Sequence, residues 1–179
     1  MITITEALAE LKTLKKRIEK KTEYVQSNIL RQGCVKDPLE SAGGQVEVIQ
    51  KELQAIADLE ARFVAIRIAI ARANLENDLE IAGEKRSISA WLAWRREIAA
   101  GQLTRLNQVF NIIDRGAVEA KKRGSRTVPL GEEGEAQRDD LVINVDIPEM
   151  RAESERLVEV MGALDGKLSL FNATIKLEV

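Results

Sequence analysis

The densest group of acidic side chains in the sequence lies in a glycine-containing stretch in its second half. Clustered carboxylates can bind Ca²⁺ or Mg²⁺, or can act as a pair in glycoside hydrolysis. The spacing lacks the alternating ligands and the terminal glutamate of an EF-hand loop, and the chain has only 3% aromatic residues to line a sugar cleft. We therefore interpret the cluster as a solvated acidic loop. Its members are Glu132, Glu133, Glu135, Asp139 and Asp140.

The single cysteine, Cys34, is the second candidate for chemistry. Arg31 and Lys36 lie nearby in the sequence, and neighbouring cations are typical of reactive thiols. However, the chain has neither a second cysteine to resolve an oxidised thiol nor a histidine to act as a base. The absence of histidine also excludes Ser-His-Asp and Cys-His nucleophile systems. We interpret Cys34 as an incidental thiol and predict no catalytic, cofactor-binding or metal-binding residue.

Both tryptophans of the chain, Trp91 and Trp94, lie three residues apart and are followed at once by Arg95 and Arg96. This spacing puts the two rings on a shared face of a helix. Tryptophan and arginine are enriched at the centres of protein interfaces, whereas stacking on nucleic-acid bases requires a wider basic surround than this segment provides. The pattern fits a buried core and an interface equally well. We assign interface contacts to Trp91, Trp94 and Arg95.

The remaining candidate for a binding site is a basic cluster further along the chain. It is formed by Lys121, Lys122 and Arg123, with Arg126 nearby. Such a cluster can contact phosphates. The acidic stretch follows immediately, and a formal net charge of −2 gives the chain no general attraction to nucleic acid. We therefore expect the cluster to contact another protein subunit, with nucleic-acid binding through residues 115–126 as the alternative.

Long helices must position these residues. A capping box formed by Thr3 and Glu6 predicts a helix that begins near Ile4, and its apolar residues recur every seven positions, as in a coiled coil. A loop at 32–44, rich in glycine and proline, separates it from a second helix over about 46–78. Two such helices most simply pack as an antiparallel hairpin.

The second half of the chain predicts two more helices and a small sheet. A third helix is expected from Ser87 or Ser89 to about Lys122. Residues 141–147 alternate between apolar and polar, which predicts a strand that pairs with 125–130 as a β-hairpin. Pro148 suits the first turn of a last helix. The apolar residues of that helix also recur every seven positions, and those with predicted interface contacts are Met150, Leu157, Leu164 and Phe171.

The predicted fold class is mainly α, with long antiparallel helical hairpins or a coiled-coil bundle and a small β-hairpin appendage. Residues 1–123 are assigned to a bundle of three helices, residues 124–147 to a loop and β-hairpin insertion, and residues 148–179 to a C-terminal helix that packs back on the bundle. The composition agrees, since 31% of the residues are charged and few are aromatic.

Four stretches carry a resemblance to a known family: "ITEALAELKTLKKRIEK", "KDPLE", "IAIARANLENDLEIAGEKRSISAWLAWRREI" and "LDGKLSLFNATIKLEV". In these the chain resembles the septicolysin-like family of small bacterial and phage-encoded helical proteins. The resemblance implies helical hairpins that assemble into oligomers, and it supplies no catalytic residues. The chain departs from the family in the segment "GSRTVPLGEEGEAQRDDLVINVDI".

These observations predict a non-enzymatic structural or assembly protein that forms a coiled-coil homo-oligomer. Several narrow heptad stripes cannot all be covered within one monomer of this size, so partner helices are expected. The expected partners are further copies or other structural subunits, without a cofactor, a small-molecule substrate or a membrane. The expected location is the cytoplasm of a bacterial host, or the virion if the protein is phage-encoded.

Two alternatives remain open at this stage. One is a protein- or nucleic-acid-binding module that uses residues 115–126 or the face of Trp91 and Trp94. The other is a membrane-active protein, as the family name suggests, although the apolar stripes are too narrow for a helix that lies in a membrane surface.

Overall fold

The computed structural model describes residues 1–178 and confirms the mainly α fold with a small β appendage. Its four long helices are α1 (Ile4–Asn28), α2 (Gln45–Glu76), α4 (Ala100–Lys122) and α5 (Ile147–Thr174), and a shorter helix, α3, spans Ile88–Trp94. The strands are β1 (Ile2–Thr3), β2 (Asp78–Ile81), β3 (Glu84–Ser87), β4 (Thr127–Val128), β5 (Leu141–Val142) and β6 (Lys176–Leu177).

The chain divides into two compact units. The first consists of residues 1–77 together with the C-terminal residues from 169 onward, and the second of residues 78–168. In the first unit, β1 and β6 pair antiparallel, with Ile2 opposite Leu177. This strand pair brings the two ends of the chain together. The predicted ranges 1–123, 124–147 and 148–179 follow breaks in the sequence pattern, whereas the two units follow contacts.

The predicted capping box starts α1. The amide N–H of Glu6 donates to Oγ1 of Thr3 at 3.2 Å, and the amide N–H of Thr3 donates to Oε2 of Glu6 at 2.7 Å. The backbone hydrogen bond to Thr3 lowers the pKa of the Glu6 carboxyl, and the Thr3 hydroxyl lowers it further. The helix therefore begins at Ile4, as the sequence predicts.

Helices α1 and α2 form the predicted antiparallel hairpin. Lys21 Nζ lies 2.5 Å from Oε2 of Glu52, and Nε of Arg62 lies 2.9 Å from Oε1 of Glu10. The later residue of α1, Lys21, pairs with the earlier residue of α2, Glu52, and the earlier residue of α1, Glu10, pairs with the later residue of α2, Arg62. The two helices therefore run in opposite directions. The apolar residues buried in this unit are Ile4, Ala7, Leu11, Leu14, Val25, Ile66, Ile70, Ala73, Phe171 and Leu177.

Asp37 organises the loop between α1 and α2. Its carboxylate accepts the amide N–H groups of Leu39 and Gln45, each at 2.8 Å, and the bond from Gln45 is the larger cause of the lowered pKa of the Asp37 carboxyl. Gly43 and Gly44 then take φ values of +98° and +89°. Such values lie in the region that favours glycine, so this pair lets the chain turn into α2.

The β-hairpin lies elsewhere in the chain than predicted. It is formed by β2 and β3, with Asp78 opposite Ser87 and Ile81 opposite Glu84. The turn between them has φ of +51° at Ala82 and +80° at Gly83. Two positive φ values at the centre of a two-residue turn match the twist of a hairpin. Gly83 indicates a turn in the sequence, but alanine, rather than asparagine or aspartate, precedes it, so the sequence does not signal a hairpin.

The predicted hairpin of 125–130 with 141–147 is wrong. Strands β4 and β5 are two residues each and run parallel, with Thr127 opposite Leu141. Within the alternating segment the strand ends at Val142, and Asp146 and Ile147 at the end of the segment cap and begin α5. There the amide N–H of Glu149 donates to Oδ1 of Asp146 at 2.9 Å, which caps the helix.

Candidate functional site

The tryptophan segment begins at the end of the β2–β3 hairpin. Oγ of Ser87 accepts the amide N–H of Ala90 at 3.2 Å and caps α3, as predicted for Ser87. Trp91 is only 2% exposed, and its indole Nε1–H donates to the carbonyl of Leu79 at 3.0 Å. The guanidinium carbon of Arg86 lies 4.9 Å from the centroid of the ring. Trp91 therefore belongs to the core of its own chain, and the interface contact assigned to it is corrected to a core contact.

Trp94 is half-buried beside Trp91, with ring centroids 5.5 Å apart and ring planes at 84°. This is the edge-to-face arrangement that aromatic pairs favour. The ring lines an open cavity of about 250 Å³. Gln102 also lines it, and the Oε1 atom of Gln102 is buried without a hydrogen-bond partner among residues 1–178. The charged residues of the lining are Glu84, Arg86, Glu153 and Arg156.

A π-helical turn over Arg95–Ala99 joins α3 to α4. In a regular α-helix Ile98, seven residues after Trp91, would share its face. The wider turn adds a residue to the register, so Ala99 takes the buried position and Ile98 is exposed. Ile98 therefore does not continue the face of Trp91. Arg95 is ion-paired with Asp165 of α5, so within its own unit it has a partner already.

The predicted basic cluster is exposed. Lys121, Lys122 and Arg123 all lie at the surface at the end of α4. Lys122 Nζ lies 2.9 Å from Oε1 of Glu119, whereas Lys121 and Arg123 form no ion pair with any residue in 1–178. Arg126 does not join them, because its guanidinium faces Asp140.

Asp140 of the acidic stretch has a structural role. Its carboxylate accepts the amide N–H groups of Arg126 and Gln137, each at 3.0 Å, and also Nε–H of Arg126 at 3.3 Å. The side chain is 6% exposed. The backbone bonds, first from Arg126 and then from Gln137, hold the pKa of the Asp140 carboxyl below its usual range. The basic and acidic stretches are thus joined within one chain, at Arg126 and Asp140.

Neither of the other candidates for chemistry forms a recognisable site. Cys34 is exposed in the loop that follows α1. In the described part of the chain, no three or more cysteine, aspartate and glutamate side chains come together in a way that could hold a metal ion. The carboxyl of Glu133 has a lowered pKa because it accepts backbone N–H groups, first that of Gly131.

The seven-residue series of α5 is partly covered by its own chain. Leu164 is fully buried and Phe171 is buried, whereas Met150 and Leu157 are half-buried. The assignment of Leu164 and Phe171 to an interface is corrected accordingly, because both already contribute to intrachain cores. An interface role for Met150 and Leu157 stays a prediction.

Sequence reasoning missed a row of exposed apolar residues on α2, which we call the α2 stripe. At 100° per residue its members fall within an arc of about 60°, nearly opposite the buried Ile66, Ile70 and Ala73. The spacing of apolar residues was visible in the sequence, but the series that faces α1 masked it. The stripe consists of Val46, Leu53, Ala57, Val64, Ile68 and Leu75.

Two apolar grooves add to this exposed surface. One, of about 520 Å³, adjoins the α2 stripe at Val64 and is lined also by Ile18 and Phe63. The other, of about 320 Å³, lies in the second unit between α4 and the segment around β5, where Ile112 and Leu141 are exposed. Each unit therefore leaves apolar helix surface uncovered.

Within residues 1–178, none of the helices has both the length and the apolar character that crossing a membrane requires. In comparisons with protein-family models, curated proteins and solved structures, the chain matches none.

Proposed function

We propose that this protein is a non-enzymatic structural protein that assembles with further copies of itself through exposed faces of its helices. The observation that carries the proposal is the α2 stripe. Five of its six members are large apolar residues at least half exposed. Monomeric proteins rarely expose large apolar patches, and burial of the part of each such side chain that is still exposed is worth about 1–2 kcal/mol.

The roles of the acidic residues support this proposal. The carboxyls of Glu6, Asp37, Glu133 and Asp140 all have lowered pKa values, and in each case the first cause is a backbone N–H that the carboxylate accepts. These groups cap helices and fix turns. Perturbed carboxyls at an active site more often lie in a cleft and are poised for proton transfer.

We also propose a family and a kind of particle in which this protein would assemble. The four stretches that resemble the septicolysin-like family favour membership of that family, and a repeating particle such as a phage virion would use a helical subunit of this size. Other structural subunits are further candidate partners. The exposed Lys121, Lys122 and Arg123 would suit a contact with an acidic neighbour.

A second candidate function is recognition of a peptide at the cavity beside Trp94. The observation that favours it is the side chain of Gln102, which lines the cavity and whose Oε1 has no hydrogen-bond partner among residues 1–178. The Trp94 ring supplies an apolar wall to the same cavity. Panning of a random peptide library, with Gln102→Leu as the control, tests this candidate. Sequences enriched on both proteins alike would argue against it.

Light scattering on the purified chain tests the main proposal. Each copy has a mass of 19.9 kDa, and at micromolar concentration we expect a mass that is a multiple of this value. A protein that stays at the mass of one copy up to high micromolar concentration would overturn the proposal.

A further inference from the structure

The α2 stripe has a spacing that reads the same in both directions. Its six members are separated by 7, 4, 7, 4 and 7 residues. A helix laid antiparallel against an identical helix therefore meets the same pattern. In the register with its centre between Glu60 and Ala61, Val46 faces Leu75, Leu53 faces Ile68 and Ala57 faces Val64 of the second copy.

The stripe also suits a nearly straight partner helix. Each member except the last two has another member 11 residues further along, as in Val46 to Ala57 and Val64 to Leu75. Eleven residues in three turns is close to the natural period of an α-helix. Two such helices can therefore keep their stripes in contact along their whole length with little supercoiling.

The charges of α2 are arranged for the same antiparallel pairing. Glu52 and Arg62 are paired with α1. Of the other charged residues, the first half, residues 45–60, carries three acidic residues and one lysine, a net charge of −2, whereas residues 61–76 carry two arginines and one glutamate, a net charge of +1. A parallel pair would bring like charges together. An antiparallel pair brings the acidic half of each helix against the basic half of the other.

The flanking residues show the complementarity on one side of the stripe. Glu60 and Arg67 lie on one flank of the stripe, and Glu47 and Arg72 lie on the other. A two-fold axis brings corresponding flanks together, so Glu47 meets Arg72 of the second copy, within two residues of its register position. On the other flank Glu60 lies beside Glu60 of the second copy near the axis, and Arg67 of that copy lies about 9 Å further along the helix. Within the described chain, Glu60, Arg67 and Arg72 have no ion-pair partner, and Glu47 is paired only with Lys51 on its own helix.

The area of the stripe is close to that of the smallest specific contacts. From Val46 to Leu75 the stripe is about 44 Å long at 1.5 Å per residue. With a contact width of about 10 Å on each copy, the two stripes together bury about 900 Å², just under the lower limit of about 1,000 Å² for a specific interface. The apolar groove beside Val64 extends this surface toward Ile18 of α1.

From the palindromic spacing, the charge halves and this area, we infer that α2 pairs antiparallel with α2 of a second copy, across a two-fold axis near Glu60 and Ala61. The inference rests on the proposed self-assembly and names one interface of it. Two hairpins joined in this way form a four-helix arrangement with the α2 helices in contact.

The first test places a charge in the stripe. Ile68→Glu puts a carboxylate opposite Leu53 of the second copy, and Val118→Glu on α4 is the matched control, because both residues are 55% exposed. We expect Ile68→Glu to weaken self-association on the order of 100-fold, because an unpaired buried charge is strongly destabilising, and Val118→Glu to leave α2 pairing intact. Circular dichroism checks that both variants keep their helices.

The second test uses cross-linking to determine whether the two α2 helices run antiparallel. In a Cys34→Ser background, Ala61→Cys puts a thiol near the two-fold axis, and Leu75→Cys puts one at the end of the stripe. A short bis-maleimide should link two Ala61→Cys chains but not two Leu75→Cys chains. A mixture of Val46→Cys and Leu75→Cys chains should cross-link, since these positions face each other.

The outcomes separate this inference from the proposed function. If the unaltered chain is monomeric, both fail. If it is oligomeric and Ile68→Glu has no more effect than Val118→Glu, assembly holds but the α2 interface is overturned. Efficient linking of Leu75→Cys chains to each other would contradict the antiparallel orientation.

Discussion

The indole Nε1–H of Trp91 donates to the backbone carbonyl of Leu79 at 3.0 Å and so ties α3 to the β2–β3 hairpin. Trp91→Phe keeps an aromatic ring but removes the donor, which leaves the Leu79 carbonyl without this partner. We expect a loss of about 1–3 kcal/mol in the free energy of unfolding, measured by urea denaturation. Trp94→Phe is the control, and equal losses in the two variants would contradict a special role for this bond.

The position of Leu164 predicts an effect on folding before any effect on assembly. Because the side chain is fully buried, Leu164→Ala should lower the free energy of unfolding by about 2–5 kcal/mol. Leu170, on the same helix, is 66% exposed, so Leu170→Ala should change stability by less than about 0.5 kcal/mol. Urea denaturation at a fixed protein concentration compares the two. A Leu164→Ala chain of unchanged stability would show that the residue is not in a core.

The lowered pKa of Asp140 predicts a pH-dependent loss of order in the segment that it holds. A carboxyl whose folded pKa lies below its unfolded pKa stabilises the fold fully above the unfolded value, about 3.9 for aspartate. That contribution is lost as the pH falls through the folded value. The amides of Arg126 and Gln137 should therefore become less protected from hydrogen exchange below about pH 4.

Asp140→Asn should remove this pH dependence and weaken protection of the same two amides at neutral pH. Asp139→Asn makes the same chemical change at the exposed neighbouring residue and should leave both amides unaffected. If the two variants exchange alike, Asp140 does not organise this segment.

The turn at Ala82 predicts a stabilising substitution. Alanine at a φ of +51° carries a steric cost of about 1–2 kcal/mol, which asparagine tolerates better. Asn-Gly is also the preferred pair for a two-residue hairpin turn. Thermal denaturation should therefore give a higher Tm for Ala82→Asn and a lower Tm for Ala82→Val. A lower Tm for Ala82→Asn would show that the turn has other requirements.

The local signals of the sequence predicted the helical parts of the fold. Thr3 with Glu6 and the cap at Ser87 fixed two helix starts, because these side chains bind backbone N–H groups within one turn. The seven-residue spacing of Ile4 and Leu11 gave the buried face of α1 correctly. Each of these features depends on residues close together in the chain.

Features that depend on distant residues were not predictable in the same way. The bond from Trp91 to Leu79 and the pair of Arg95 with Asp165 require the final packing. The π-helical turn at Arg95–Ala99 shifted the helix register without a glycine or proline to mark it. The α2 stripe was hidden for another reason: α2 has two apolar faces, and only the structure shows which one α1 covers.

The central claim is that the chain assembles with copies of itself, and native mass spectrometry of the unaltered protein tests it most directly. We predict that the dominant species at low micromolar concentration contains two copies or a larger even number of copies. Pairing of α2 also predicts that Ile68→Glu converts this species to one with half as many copies or fewer. A spectrum in which the unaltered protein is a single chain of 19.9 kDa would contradict the account.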